Sequence, residues 1–164
     1  MVEKTNVYFL AEITKNFGNG DCILLENIDS YGNIVHALID TGNKVYNGVV
    51  CKFLQRHHVK KLEFLLITHC HGDHYGDAIS VIENYEIDKL IMKEFDSKWS
   101  PDGTQKIYEN IIGKAIQKKI KKILGISYLS LISEEYSPSR SENFKNNLIK
   151  DAKKENFEYF NKIM

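Results

Sequence analysis

The apolar run at residues 62–68 (LEFLLIT) limits the possible folds more than any other feature of the chain. Its length and composition are typical of a buried strand. The chain leaves this strand at His69 and places three histidines and one aspartate within six residues. Because ligands and metals in α/β proteins usually bind where strands end, we predict that the functional site lies here.

These polar residues are of the types that bind a zinc-like ion, since imidazole nitrogen and carboxylate oxygen are among its preferred ligands. His69 and His71 are two residues apart, so in an extended segment they would lie on the same side and could bind one ion, with Cys70 facing away. Asp73 and His74 follow a bend and could hold a second ion. A bound ion would lower the pKa of its water ligand to about 7 and make hydroxide at neutral pH. The alternative to this predicted metal site is a loop with three unrelated surface histidines.

The pattern His-x-His-x-Asp-His after an apolar strand resembles the signature of the metallo-β-lactamase superfamily. Residues 18–25 (GNGDCILL) are similar to the glycine–aspartate turn and strand that open that fold, and residues 37–42 (ALIDTG) to its strand ending in Asp-x-Gly. The resemblance implies an α/β fold, the metallo-β-lactamase-like αββα sandwich, in which two similar halves pack sheet to sheet. It also implies two zinc ions, a bridging hydroxide as nucleophile, and hydrolysis of an ester, amide or phosphoester.

The resemblance also implies roles for individual residues. Asp73 would be a metal ligand and a catalytic residue, and Asp40 would support the metal site by orienting one of its ligands through a hydrogen bond. Asp40 could also simply cap the turn or the next helix. Residues 39–120 look most similar to the phosphorylcholine esterase branch, which would indicate a small-molecule phosphoester substrate.

The sequence departs from the superfamily pattern after His74, because no histidine follows it and no cysteine follows Cys70. The pattern requires two further histidines and an aspartate that bridges both ions. We therefore expect only the first αβ half of the fold, followed by a tail at residues 134–164, and weak binding of one ion rather than two.

Three explanations for these missing ligands stay open. The chain is a piece of a longer enzyme, or a C-terminal half or second chain completes the fold, or activity has been lost. The leading hypothesis is accordingly a metal-dependent hydrolase, and the alternative is a non-catalytic fragment or interaction module.

Composition narrows the possible environments and partners. The 164 residues fit a single domain, and 22 basic and 22 acidic residues leave no net charge that would attract the chain to nucleic acid or a membrane. The N-terminal segment does not resemble a signal peptide or a membrane span, and three widely spaced cysteines do not form a disulfide framework, so we expect a cytoplasmic protein. A lysine cluster could bind phosphate or nucleic acid, but a solvated helix end is the preferred interpretation. The cluster consists of Lys118, Lys119, Lys121 and Lys122.

Hydrophobic periodicity and turn residues predict the remaining elements, and the short turn at residues 29–33 (DSYGN) predicts that the strands on either side of it form a hairpin. The predicted strands are residues 7–13, 22–25, 34–39, 62–68, 88–92 and 127–132, and the predicted helices are 45–58, 76–85, 104–124 and, with weak periodicity, 143–164. Asp77 could reach the metal site, but a position at a helix N-terminus is preferred. Phe95 and Trp99 could form pocket walls or pack on an exposed face, and His36 is interpreted as a packed or surface histidine rather than a ligand.

Overall fold

The computed structural model describes residues 3–10, 20–44, 48–93, 95, 103–126 and 158–160, and within them seven strands form one sheet in chain order. The strands are β1 (Lys4–Phe9), β2 (Ile23–Ile28), β3 (Ile34–Ile39), β4 (Lys61–Ile67), β5 (Glu86–Lys93), β6 (Lys122–Ile126) and β7 (Glu158–Phe160). β2 is antiparallel to both β1 and β3, whereas neighbouring strands from β3 to β7 are parallel. The sheet is therefore mixed.

Within the described residues, three helices connect parallel strands. They are α1 (Val49–Arg56), α2 (Ala78–Asn84) and α3 (Thr104–Gln117), which follow β3, β4 and β5 respectively. Each new strand is added on the same side of the last, so right-handed crossovers place all three helices on one face of the sheet. The contacts of α2 with both α1 and α3 agree with a single helix layer. The predicted α/β fold is confirmed as a mixed α/β structure.

A continuous row of apolar side chains crosses the sheet beneath the helices. Leu24, Leu38, Leu65, Leu90 and Ile123 are paired in register, and each is at most 1% exposed. The helix residues buried in the same core include Val50, Leu54, Val81, Ile82, Ile111 and Ile112. Full burial of one such side chain contributes about 1.5–3 kcal/mol, so this layer supplies much of the stability of the sheet.

The other face of the sheet carries an apolar row that is less well covered. Phe9, Ile23, Ile39, Leu66 and Ile91 are paired in register one position away from the buried row. Because side chains alternate along a strand, this row lies on the face opposite the helices. Phe9 is 67% exposed and the other four are only partly buried.

The predicted hairpin at residues 22–39 is confirmed as β2 and β3. Its turn is stabilised by Asp29, whose Oδ1 accepts hydrogen bonds from the backbone N–H groups of Tyr31 (2.8 Å) and Asn33 (2.9 Å). Gly32 has a φ of 87°, a left-handed conformation that glycine adopts without steric cost.

The predicted helix at residues 104–124 is wrong beyond Gln117. Lys119 has a φ of 60°, which ends the helix, and the chain then enters β6. The N–H of Ile120 still donates to the carbonyl of Ala115 at 3.0 Å, as at many helix ends. Ile123 continues the apolar spacing of the helix, but its partner is Leu90 on β5. Pairing within the sheet therefore overrides the helical periodicity.

The weakly predicted helix at residues 143–164 is wrong at residues 158–160, which form β7 beside β6. Tyr159 and Phe160 are aromatic residues that favour strands. The remainder of that predicted helix and the predicted strand at 127–132 lie outside the described residues. The other predicted elements are present among the described residues, with ends that differ by a few residues, and residues 11–13 of the predicted strand 7–13 and 45–47 of the predicted helix 45–58 also lie outside the described part.

The parallel strands direct several polar loops to one edge of the sheet. The segments after β3 and β4 lie at the carboxyl ends of these strands, and the segment before β2 reaches the same edge because Ile23 pairs with Ile39. Lys93 ends β5 at this edge as well. Among the described residues, no helix is long and apolar enough to cross a membrane.

Candidate metal centre

Three loops meet at this edge and are joined by backbone hydrogen bonds. They are residues 20–22 before β2, residues 40–44 after β3 and residues 68–77 after β4. The bonds run from Asp21 N to Asp73 O, Gly42 N to Asp21 O, Thr41 N to His74 O, Lys44 N to Gly72 O, Gly76 N to Gly42 O and Asp77 N to Thr41 O, at 2.6–3.3 Å. We call this group of loops and bonds the loop junction.

Two glycines allow the loops of this junction to approach so closely. A Cβ atom at Gly76 would overlap backbone atoms of Asn43 and Lys44, and one at Gly20 would lie 2.8 Å from Asn43 N. Backbone atoms cannot move aside without breaking the junction. These positions therefore require glycine for its small size.

Asp40 is the buried centre of the hydrogen bonds between side chains. Its side chain is 2% exposed, and its backbone φ of 55° lies in the left-handed region, which aspartate tolerates better than most residues. Oδ1 accepts from Thr68 N at 2.8 Å, and Oδ2 accepts from Thr68 Oγ1 at 2.7 Å and from His74 Nδ1 at 2.9 Å. A carboxylate only accepts hydrogen bonds, so His74 carries a proton on Nδ1.

The same chain of hydrogen bonds sets the tautomer of His69. The hydroxyl of Thr68 has one proton, which it donates to Asp40, so at 3.0 Å from His69 Nδ1 its oxygen must accept. His69 and His74 therefore both hold a proton on Nδ1 and present the lone pair of Nε2. Burial, reinforced by the nearby His74 and His71, lowers the pKa of His69 and favours its neutral form.

The structure brings the predicted site residues together. The ring centroid of His69 lies 3.8 Å from that of His74 and 4.7 Å from that of His71. Asp73 Oδ2 is 3.7 Å from His74 Nε2, on the side of the ring away from Asp40. The predicted contact of Asp40 with a histidine of this cluster is present, whereas metal binding itself stays a prediction.

Two of these donors are close enough to contact one zinc-like ion on the Nε2 side of His74. Each ligand atom of zinc lies about 2.0–2.2 Å from the ion, so two atoms 3.7 Å apart, such as Asp73 Oδ2 and His74 Nε2, can contact the same ion. A second group, Asp21, Asp40 and His74, also places three potential ligand atoms within 4.8 Å of one another. That group is less suitable, because Asp40 and His74 Nδ1 are already bonded to each other.

Asp77 has a structural role that agrees with its preferred interpretation. It is buried, and its carboxylate accepts hydrogen bonds from Gly48 N (2.9 Å) and Val50 N (3.1 Å). N–H groups at the start of a helix have no acceptor within the helix, and Asp77 supplies the acceptors for these two. Asp77 therefore caps α1 rather than α2, the helix that it immediately precedes. The sequence shows a suitable carboxylate but not which helix it will meet.

Cys70 and Lys93 flank the histidine cluster. Burial raises the pKa of the Cys70 thiol to about 11 although the positive charge of Lys93 lowers it, so the thiol is protonated at neutral pH. Phe95 packs against the core, with its ring centroid 6.1 Å from that of Tyr108, which favours the packing role over a pocket wall. Trp99 lies outside the described residues.

Sequence reasoning missed the roles of Thr68 and Asp21. Thr68 was visible as the residue at the end of the apolar strand, but its bridge between Asp40 and His69 depends on the pairing of β3 with β4. Asp21 was visible only as part of a turn, yet its Oδ2 lies 3.8 Å from His74 Nδ1.

Comparison with protein families extends the sequence resemblance. The family model described as metallo-beta-lactamase superfamily matches residues 16–149, which is most of the chain. The match is to the superfamily as a whole and does not support the phosphorylcholine esterase branch. A search of curated proteins found no match.

Proposed function

The chain belongs to the metallo-β-lactamase superfamily, and from this premise we propose that it is a zinc-dependent hydrolase whose metal site consists of His69, His71, Asp73 and His74. The observation that carries the proposal is the hydrogen-bond chain through Asp40, which leaves Nε2 of His69 and His74 available. A loop with unrelated histidines would not need one buried carboxylate to fix two imidazole tautomers.

The residues of this site would each have a different role in such a hydrolase. His69 and His74 offer their Nε2 atoms, and Asp73 adds a carboxylate beside His74. A zinc ion held there would supply hydroxide at neutral pH by lowering the pKa of its water to about 7. Asp73, whose side chain is 39% exposed, is the ligand and catalytic carboxylate in this proposal, because it combines contact with the site and access to solvent.

We propose one ion rather than two. Two divalent ions about 4 Å apart would repel each other by roughly 16 kcal/mol at an effective dielectric constant of 20, four times the value for single charges. Four donor groups are too few to offset this repulsion, since a tetrahedral zinc site alone uses up to four ligands.

We further propose anionic esters, phosphoesters in particular, as substrates. Lys93 is close enough to act electrostatically on Cys70, between His69 and His71, and Lys44 lies in the loop junction. Positive charges at the edge of the site would raise the local concentration of an anionic substrate.

The test is hydrolysis of bis-para-nitrophenyl phosphate by the purified chain with zinc. We expect turnover above that of free zinc, which a chelator and His74→Ala both abolish. His58→Asn is the matched control, because His58 follows the end of α1 remote from the site and asparagine tolerates its φ of 55°. Turnover no better than free zinc, or equal turnover in His74→Ala, would contradict the proposal.

A second candidate, a metal-binding module without turnover, is favoured by the lack of any histidine after His74 in the sequence. The same samples distinguish the two. Zinc binding that His74→Ala removes, in the absence of hydrolysis, would support the module, whereas hydrolysis would exclude it.

A further inference from the structure

Asp21 is an exposed residue whose backbone is held firmly in the loop junction. Its N–H donates to Asp73 O at 3.1 Å, and its carbonyl accepts from Gly42 N at 2.8 Å. The preceding Gly20 has no space for a side chain. These contacts fix the point from which the Asp21 carboxylate extends, although that side chain is 70% exposed.

The Asp21 carboxylate faces the same nitrogen of His74 as Asp40. Asp21 Oδ2 is 3.8 Å from His74 Nδ1, compared with 2.9 Å for Asp40 Oδ2. The single proton on Nδ1 is donated to Asp40, and 3.8 Å is too long for a second hydrogen bond. Asp21 therefore acts on this nitrogen through its charge.

We propose that Asp21 is a positioning residue of the metal centre, which together with Asp40 holds the proton of His74 on Nδ1 and leaves Nε2 for a divalent cation. Two negative charges beside Nδ1 stabilise the tautomer with a proton there. The opposite tautomer would place a lone pair towards both carboxylates and a proton where the cation must bind. This inference rests on the proposed metal site.

The competing explanation is that only the backbone of Asp21 matters. In that case its side chain is an exposed carboxylate with little influence, as many surface charges are. Asp21→Asn separates the two explanations, because it keeps the backbone contacts and the side-chain shape but removes the charge.

The first measurement is calorimetric titration of the purified chain with zinc alone. We expect Asp21→Asn to weaken zinc binding about fivefold. Loss of a residue that hydrogen-bonds to a metal ligand typically weakens metal binding about 10–100-fold, and the effect should be smaller here because the Asp21 carboxylate is exposed. The difference in zinc affinity between the wild type and Asp21→Asn should become smaller when the salt concentration is raised from about 0.1 M to about 1 M, because the Debye length then falls from about 10 Å to about 3 Å. Glu109→Gln removes the charge of a half-buried carboxylate on α3, which accepts a hydrogen bond from Gln105; it is the matched control and should bind zinc like the wild type.

The second measurement is the nitrogen chemical shifts of the His74 ring in the metal-free protein, which distinguish the tautomers. We expect a smaller fraction with the proton on Nδ1 in Asp21→Asn than in the wild type. Should this variant fail to fold, Asp21→Ser provides the same comparison.

The outcomes separate this inference from the proposed function. Equal zinc affinity in Asp21→Asn and wild type would overturn the role of Asp21 while leaving the metal site intact. No zinc binding by the wild type would overturn the proposed metal site and the role of Asp21 with it, whereas unchanged His74 spectra in Asp21→Asn, with zinc still bound by the wild type, would overturn the role of Asp21 alone.

Discussion

A single buried residue, Asp40, orients two histidines that lie at different points of the loop after β4. It contacts His74 directly and His69 through the hydroxyl of Thr68. A buried carboxylate is costly unless its oxygens are hydrogen-bonded, and three donors meet that need here. The cost of burying Asp40 is therefore offset by the same bonds that prepare the imidazoles for a metal.

We expect Asp40→Asn to reduce both stability and zinc affinity. Asparagine fits the left-handed backbone, but its amide NH₂ must face one of the donors from Thr68 or His74. The free energy of unfolding should fall by about 1–3 kcal/mol and zinc affinity by about 10–100-fold. Urea denaturation and zinc titration measure the two effects. Asp88→Asn, at an exposed ion pair with Lys61, should change neither by a comparable amount; equal results for the two variants would show that Asp40 does not organise the site.

Gly76 and Gly113 differ in the space that surrounds the position of an added Cβ atom. We expect Gly76→Ala to unfold the loop junction, because the new methyl group would overlap the backbone of Asn43 and Lys44. Gly113→Ala lies in α3 with no atom near its Cβ position and should stabilise the protein by about 0.5–1 kcal/mol. Thermal melts of both variants provide the measurement, and a Gly76→Ala protein as stable as the wild type would show that the loops can separate at little cost.

Among the secondary-structure elements, the three antiparallel strands share a polar cluster at Glu26. Its Oε1 accepts from Asn6 Nδ2 on β1 at 2.7 Å, and its Oε2 lies 3.3 Å from His36 Nε2 on β3. The hydrogen bond from Asn6, aided by His36 and Tyr8, lowers the pKa of Glu26 despite its burial. The half-buried His36 is thus a packed residue, in agreement with its interpretation from sequence.

This cluster makes the attachment of β1 sensitive to acid. A carboxyl group whose pKa is lower in the folded state stabilises the fold above its unfolded pKa of about 4.3, and that contribution is lost as pH falls through the lowered folded pKa. We therefore expect Glu26→Gln to lose less stability than the wild type between about pH 5 and about pH 3. Urea midpoints across this range give the comparison, with Glu109→Gln as control; parallel curves for Glu26→Gln and wild type would contradict the linkage.

At the scale of the whole molecule, the sequence predicts those features that depend on residues close to one another along the chain. The apolar run before His69 and the turn at Asp29 are local patterns, and both the buried strand β4 and the hairpin are present. The histidine cluster could be predicted for the same reason, because all of its members follow one strand.

The features that sequence could not provide depend on tertiary contacts. Ile123 continues a helical spacing, but its burial beside Leu90 places it in a strand. Asp77 directly precedes α2 but caps α1, because its carboxylate accepts a hydrogen bond from Val50 N, 27 residues earlier in the chain. The approach of Asp21 to His74 requires β2, β3 and β4 to be aligned first.

The loop junction has a consequence for how such a site can change during evolution. The six backbone hydrogen bonds that join its loops do not use side-chain atoms, and its closest approaches depend on Gly20 and Gly76 rather than on the histidines. Donor side chains can therefore be exchanged one at a time while the frame that presents them keeps its shape. Mutational drift can alter the chemistry of this edge, or abolish it, without first dismantling the architecture, and the same separation makes the edge a suitable host for engineered ligand sets.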